Sequence, residues 1–223
     1  MAACLLLSAV LSIQPETRGC ASFHMNFPLL SWVSSPIIQA LAEKLMSTPA
    51  VPLAVKPVAS LILARKDLVG PVLRELANYW GPVDLVGPLW PFTATDYYAR
   101  EMGDGLWRCL ASFLHLASAA HLADWKVFTN FLEKRWSLGG RRLVNLDPGY
   151  VARERLVLAT GKNYAHRIYL SQGIYGDLTL LAGPGGFQSL PWSYPDYAQG
   201  TLPELLALVR RKYLWQLKQL AKR

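Results

Sequence analysis

Apolar residues recur along this chain with two different periods, and the alternation between them outlines a mixed fold. A short apolar run at 58–64 (VASLILA), with Ser60 its one polar residue, predicts a buried strand. The next segment, 67–79, places Leu68, Val72, Leu73 and Leu76 on one side of a helix that Gly81 and Pro82 end. Residues 83–89 read as a second strand, interrupted by Gly87-Pro88 and therefore at an edge or bulge. A loop carrying Asp96 to Gly103 leads to a third strand at 106–114, a helix at 122–136 and a fourth strand at 142–146.

The order β-α-β-β-α-β predicts an α+β fold with a ferredoxin-like sheet, two helices packed on one face. An added C-terminal β-hairpin region follows. Residues 167–170 and 175–181 read as a hairpin around Ser171-Gln172-Gly173, and a turn at 183–186 precedes a further strand at 187–190. A closing C-terminal helix starts at Thr201, with Glu204 three residues on as its capping partner. Its stripe is Leu205, Leu206, Val209, Tyr213, Leu217 and Leu220.

Composition agrees with one folded domain. Of 223 residues, 52% are hydrophobic and only 17% charged, which gives enough apolar material for a core and too few charges for a disordered chain. We expect a single α+β domain over 46–223. Residues 1–45 are expected to be an N-terminal extension, disordered or preceding the natural start at Met46. The apolar run 2–13 has no basic residue before it, the first being Arg18, and it is too short to span a bilayer. Cys4, Cys20 and Cys109 form no CxxC pair, so neither a disulfide framework nor a thiolate zinc site is indicated; a cytoplasmic location and a buried, inert Cys109 are expected.

The net charge of +8 is concentrated at the end of the chain, where Arg210, Arg211, Lys212, Lys218, Lys222 and Arg223 occur with no acid among them. This basic face reads either as a solvated helix end or as an RNA-binding surface using Arg210, Arg211 and Lys212. No RNP-type motif, zinc finger or helix-turn-helix pattern accompanies it.

Polar candidates gather in four short clusters: Thr95-Asp96-Tyr97-Tyr98 with Glu101-Met102-Gly103, Asn145 to Tyr150, His166 to Leu170, and Trp192 to Tyr197. Asp96 reads as a helix cap. Asp147 either braces an Asp147-Pro148-Gly149 turn or faces a cleft with Asn145 beside it and Tyr150 as a wall. Strand alternation puts His166 and Arg167 on opposite faces, so one alone would enter a given pocket; Arg167 also has the spacing to pair Asp177 across the hairpin. The Trp192–Tyr197 stretch suits a loop pinned on the core or a surface for stacking a base.

The segments DYYAREMG (96–103), KVFTNFLE (126–133), RRLVNLDPGY (141–150), LVLATGK (156–162), HRIYL and GIYGDLTL (166–180) and PWSYPDY (191–197) resemble a bacterial and archaeal family, domain of unknown function 4416. The similarity runs over about 58–213. It implies a domain beginning just ahead of the first strand, and it brings no established activity. The family commonly has Thr where this chain has Ser193, which keeps a hydroxyl.

Several chemistries are excluded. Gly161-Lys162 lacks the earlier glycine of a P-loop, with Leu156 in its place, and Asn163 stands where Ser or Thr is needed. No GxSxG, HExxH or GxGxxG is found, and His115 and His121 are six apart, off the metal-binding spacing. The expected function is binding, with turnover open, of a phosphorylated small molecule or nucleotide. The expected pocket comprises Asn145, Asp147, His166, Arg167 and Asp177, with Tyr98 and Tyr150 as walls and Asp147 and His166 as candidate catalytic groups. No metal ligands are assigned and the cofactor is unknown. RNA binding and a purely structural role are the alternatives.

Overall fold

A computed structural model describes residues 48–222. The N-terminal extension and the start at Met46 fall outside the described residues, and everything below concerns the compact unit that begins at Val51.

Strand β1 (Lys56–Leu63) is buried at all eight positions, which is why its apolar run is nearly continuous rather than alternating. It lies between β4 (Trp107–Phe113) and β7 (Val144–Val151), antiparallel to both. Around them an antiparallel sheet of nine strands runs in the order β11-β10-β8-β7-β1-β4-β2. Its other members are β2 (Val83–Val86), β8 (Arg155–Thr160), β10 (Ile174–Gly183) and β11 (Gly186–Ser189). Short β3 (Trp90–Pro91) adds to β4, and β9 (Arg167–Ser171) adds to β10. The architecture is therefore mixed α+β around one large sheet, and the C-terminal strands extend that sheet. The interruption at Gly87-Pro88 falls where expected: β2 is an edge strand with a register shift between Val83 and Leu85.

Each face of the sheet is covered. Ala59, Leu61 and Leu63 of β1, with Cys109, Ala111 and Phe113 of β4, meet helices α1 (Val69–Trp80) and α3 (Leu122–Arg135). The predicted stripe of α1 is followed, with Leu68 just ahead of the helix, Val72 and Leu76 buried and Leu73 partly so; α3 buries Leu122 and Leu132 beside them. Val58, Leu110, Val151, Leu156 and Leu180 point the other way, onto the long helix α5 (Thr201–Leu220), which follows the short helix α4 (Pro195–Ala198). There Leu206, Val209, Tyr213 and Leu217 are buried, at roughly 1.5–3 kcal/mol for each large apolar side chain. Leu220 stays exposed. Cys109 is fully buried, and burial pushes its thiol up to about 11, so it is neutral at physiological pH.

Several local expectations are corrected. Thr201 does not cap α5: it is the first helical residue, and Gly200 at φ 86° holds the cap position with no side-chain hydrogen bond. Asp96 likewise caps nothing with its carboxylate; the short helix α2 (Ala99–Met102) starts after Tyr98, and Ala99 N–H donates to the Asp96 carbonyl. The predicted strand 142–146 is displaced. Arg141–Arg142 instead form β6, which pairs with β5 (Ser137–Leu138) across Gly139 and Gly140, both at positive φ.

The largest correction concerns Asp147-Pro148-Gly149, which make no turn and lie inside β7, opposite Ser60, Ala59 and Val58 of β1. Glycine is needed here for a close approach. A Cβ on Gly149 would stand 2.5 Å from the Val157 carbonyl oxygen and 2.6 Å from a methyl of Leu158, across the junction with β8. Gly149→Ala is therefore expected to destabilise the fold by about 1–3 kcal/mol, read as a lowered urea midpoint at unchanged slope. A neutral substitution would show that the two strands have room to part.

Candidate functional site

The site begins as a gap in the sheet. Strand β8 pairs with β7 only at Gly149, Tyr150 and Val151, then leaves to follow β10 as far as Thr160 and Tyr175. The first half of β7 thus has β1 on one side and no strand on the other. Backbone groups at such an edge need partners. Two side chains of α3 supply them: Leu146 N–H donates to Glu133 Oε1 at 2.8 Å, and Leu146 C=O accepts from Lys126 Nζ at 2.8 Å. Backbone direction alternates along a strand, so Pro148 faces the same open side, where its missing N–H costs nothing.

A polar network grows from this substitution for a strand. Lys126 Nζ lies 3.5 Å from Glu133 and 3.3 Å from Asp147 Oδ1. Arg142 joins Glu133 at 2.5 Å, Asn145 at 3.1 Å and Glu101 at 2.6 Å, and the Asn145 amide donates to Asp147 Oδ2 at 2.8 Å. Burial works against the Arg142 charge, but its bonds to Glu101 and the field and bonds of Glu133 hold its pKa above the ordinary value.

Between the network and the strands that diverge from it lies a cavity of about 370 Å³. Its opposite wall is a ladder of rings and cations. Arg108, 3% exposed, lies 5.2 Å from the Tyr197 ring centre and 5.4 Å from that of Phe92. Phe92 meets Tyr98 at 5.8 Å, Tyr98 meets Tyr97 at 5.1 Å, and Lys162 stands 4.5 Å over the Tyr97 ring and hydrogen-bonds its hydroxyl. Burial, reinforced by the charge of Asp147, pushes the Tyr98 hydroxyl far above its usual range, so it stays neutral. Burial does the same to Tyr197. For Arg108, burial opposes the charge, while Tyr197, Asp196 and Asp147 together carry its pKa above the ordinary value.

At the mouth, Arg167 donates to Asp177 at 2.9 Å and to the Lys162 carbonyl at 3.0 Å. Asp177 is also reached by His166 Nε2 at 3.3 Å and by Thr179 Oγ1 at 3.3 Å. His166 stacks on Trp192 with ring centres 4.9 Å apart and planes 9° apart. The Trp192–Tyr197 segment is pinned to the sheet: Trp192 Nε1 donates to the Leu178 carbonyl, and Ser193 Oγ donates to the Thr179 carbonyl while accepting from Leu190 N–H. Its far end, with Tyr194, Asp196 and Tyr197, faces the cavity.

Of the residues singled out in the sequence, Asn145, Asp147, Arg167, Asp177 and Tyr98 line this one cavity. His166 does not line it. It precedes β9 in a turn, so strand alternation does not apply, and both His166 and Arg167 reach Asp177 Oδ2. Tyr150 is no wall of the site, because alternation along β7 turns it away from Asn145 and Asp147; it packs on the main core and lines a separate hollow of about 240 Å³. On α5, Arg210 is bound to the Arg153 carbonyl at 2.8 and 2.9 Å, and Lys212 to Asp84 at 2.9 Å, while Arg211 is exposed.

Arg108, Lys126, Glu133, Arg142 and Lys162 were not singled out, and Asp196 only as a member of the Trp192–Tyr197 cluster. One signal existed: Arg108 is a charge inside an otherwise apolar buried strand, which is rare without a partner. Lys126 and Glu133, seven apart on a helix, look in sequence like ordinary surface charges. Among the described residues no three His, Cys, Asp or Glu side chains gather in a metal-holding group, and no helix is long and apolar enough to cross a membrane.

The described unit is thus an α+β domain with a charged, tyrosine-walled cavity at a fork in its sheet. Residues 54–213 match the family model "Domain of unknown function (DUF4416)", and the chain belongs to that family. No curated protein and no solved structure matches it.

Because the Lys126–Glu133 pair stands in for a missing strand, Lys126→Ala is expected to cost about 3–5 kcal/mol in urea unfolding. The apolar double variant Lys126→Met with Glu133→Leu should not restore stability, since Leu146 would keep unpaired backbone groups. Full recovery in the double variant would reduce the pair to an ordinary buried ion pair.

Proposed function

We propose that the fork cavity binds a phosphorylated small molecule or nucleotide. One observation carries this reading: Arg108, Lys162 and Arg167 line a hollow walled by tyrosines, and its volume of about 370 Å³ falls in the range of small-ligand pockets. Five cations line it, Arg108, Lys126, Arg142, Lys162 and Arg167, against four acids, Glu133, Asp147, Asp177 and Asp196. That balance favours an anionic guest over a bare divalent cation. Arginine suits phosphate because its planar fork donates two parallel hydrogen bonds.

Asp147 is the candidate for proton transfer, since its side chain is 27% exposed beside the cavity; His166, off the cavity and bound to Asp177, is the second candidate. The arrangement β7-β1-β4-β2, with α1 and α3 as crossovers, supports a ferredoxin-like core to which β8, β10 and β11 are added. A cytoplasmic location remains our reading, on the sparse cysteines. RNA binding along α5 has less support, since Arg210 and Lys212 are held by their own chain.

Thermal-shift and calorimetric titration with inorganic phosphate, ribose 5-phosphate and nucleoside monophosphates tests the proposal. Binding should raise the melting temperature, and Arg167→Ala or Asp147→Asn should weaken it by about tenfold or more. Salt-sensitive affinity for generic RNA, lost on Arg211→Gln and unchanged in Arg167→Ala, would move the function to α5.

A further inference from the structure

The two ends of the cavity differ in chemistry, and the difference orients the ligand. At the floor, Arg108 Nη2 and Asp196 Oδ2 stand 2.9 Å apart, yet among the described residues Asp196 Oδ2 accepts no well-aligned hydrogen bond and the buried Arg108 Nε makes none. The buried Tyr197 hydroxyl beside them faces Ser60 and makes no other bond among the described residues. The Asp196 and Arg108 side chains are 13% and 4% exposed, so little water reaches them. Buried polar atoms left this way call for a partner. A phosphate there would meet the Asp196 carboxylate. A guest that accepts from Arg108 and donates to Asp196 would satisfy both, and arginine only donates while a carboxylate only accepts.

At the mouth the acid is already used: Asp177 holds Arg167, His166 and Thr179. Arg167 spends Nε on Asp177 and Nη1 on the Lys162 carbonyl, which leaves its Nη2, beside the Lys162 ammonium, to meet a phosphate. Along the wall between the two ends run Phe92, Tyr98 and Tyr97, flat faces against which a base can lie.

We propose that the cavity takes a guanine nucleotide base first, with its phosphate at Lys162 and Arg167. Guanine fits the floor better than adenine by bond count. Its O6 and N7 accept from one arginine in a bidentate pair, and its N1–H and N2–H donate together to one carboxylate. Adenine offers the same pair of side chains a single bond each. A volume of about 370 Å³, near the low end for ligand pockets, suits a monophosphate.

The inference rests on the phosphorylated-ligand reading, and the test separates the two. Calorimetric titration of the full chain with GMP, IMP, AMP, guanosine and ribose 5-phosphate should give GMP tightest, exceeding AMP by about tenfold or more, with IMP between because it lacks the second donor. Lys162→Ala and Arg167→Ala should erase the preference of GMP over guanosine. Asp196→Asn should erase that of GMP over AMP while phosphate recognition stays. AMP binding as tightly as GMP, or ribose 5-phosphate matching both, overturns the guanine assignment and leaves the phosphorylated-ligand reading standing. No binding by any of the five overturns both. The wild-type panel decides even if a variant fails to fold.

Discussion

The contact on which the site depends is the pair of hydrogen bonds that Lys126 and Glu133 make to the backbone of Leu146. A sheet edge buried inside a protein is costly because unpaired N–H and C=O groups lose water without gaining a partner. Here two side chains from α3 take the place of a strand. That lets β8 part from β7, and the parting is the cavity. Arg142, Asn145 and Asp147 then complete the ion network, so one wall of the site is also a structural brace.

Such a network narrows what the cavity can do. Lys126, Glu133 and Arg142 have their charges matched by neighbours in the same chain, and their role is to hold Asp147 and Asn145 in place. Opposite lie pairs that keep single atoms for a guest: Arg108 Nε and Asp196 Oδ2 at the floor, and at the mouth Lys162 with the Arg167 nitrogen that Asp177 and the Lys162 carbonyl do not use. The tyrosines between them remain neutral because burial disfavours the phenolate, so Tyr98 and Tyr197 act as hydroxyl and ring rather than as charge. A second buried polar group, Lys56 with Asp84, Ser112 and Lys212, performs only anchoring, tying β1, β2 and β4 to α5. Lys212 thereby has its charge matched by Asp84.

Much of the fold was legible in the chain. The apolar run of β1, the stripes of α1 and α5, the span of α3, the edge position of β2 and the β9-β10 hairpin all follow from periodicity and turn chemistry, which act within a few residues. Asp147-Pro148-Gly149 shows where such local reasoning stops. Proline and glycine together favour a turn, but here Pro148 is admitted to a strand because its neighbour has left, and Gly149 is required because β8 comes close. Thr201 and Asp96 fail in the same way, since neither hydroxyl nor carboxylate can cap a helix that starts elsewhere.

The amino-acid sequence by itself indicated the class of fold, the order of its main elements except β8, and, through clustered polar motifs, most of the segments that meet at the site: Tyr98, Asn145, Asp147, Arg167 and Asp177. Only the tertiary structure decided that Arg108, Lys126, Glu133 and Asp196 belong with them, that Tyr150 does not, and that His166 stands behind Asp177. The physical reason is range. Periodicity and capping are local, whereas partner choice for a buried charge depends on which strand ends and helix faces are brought together across the sheet, between residues as far apart in the chain as Arg108 and Asp196.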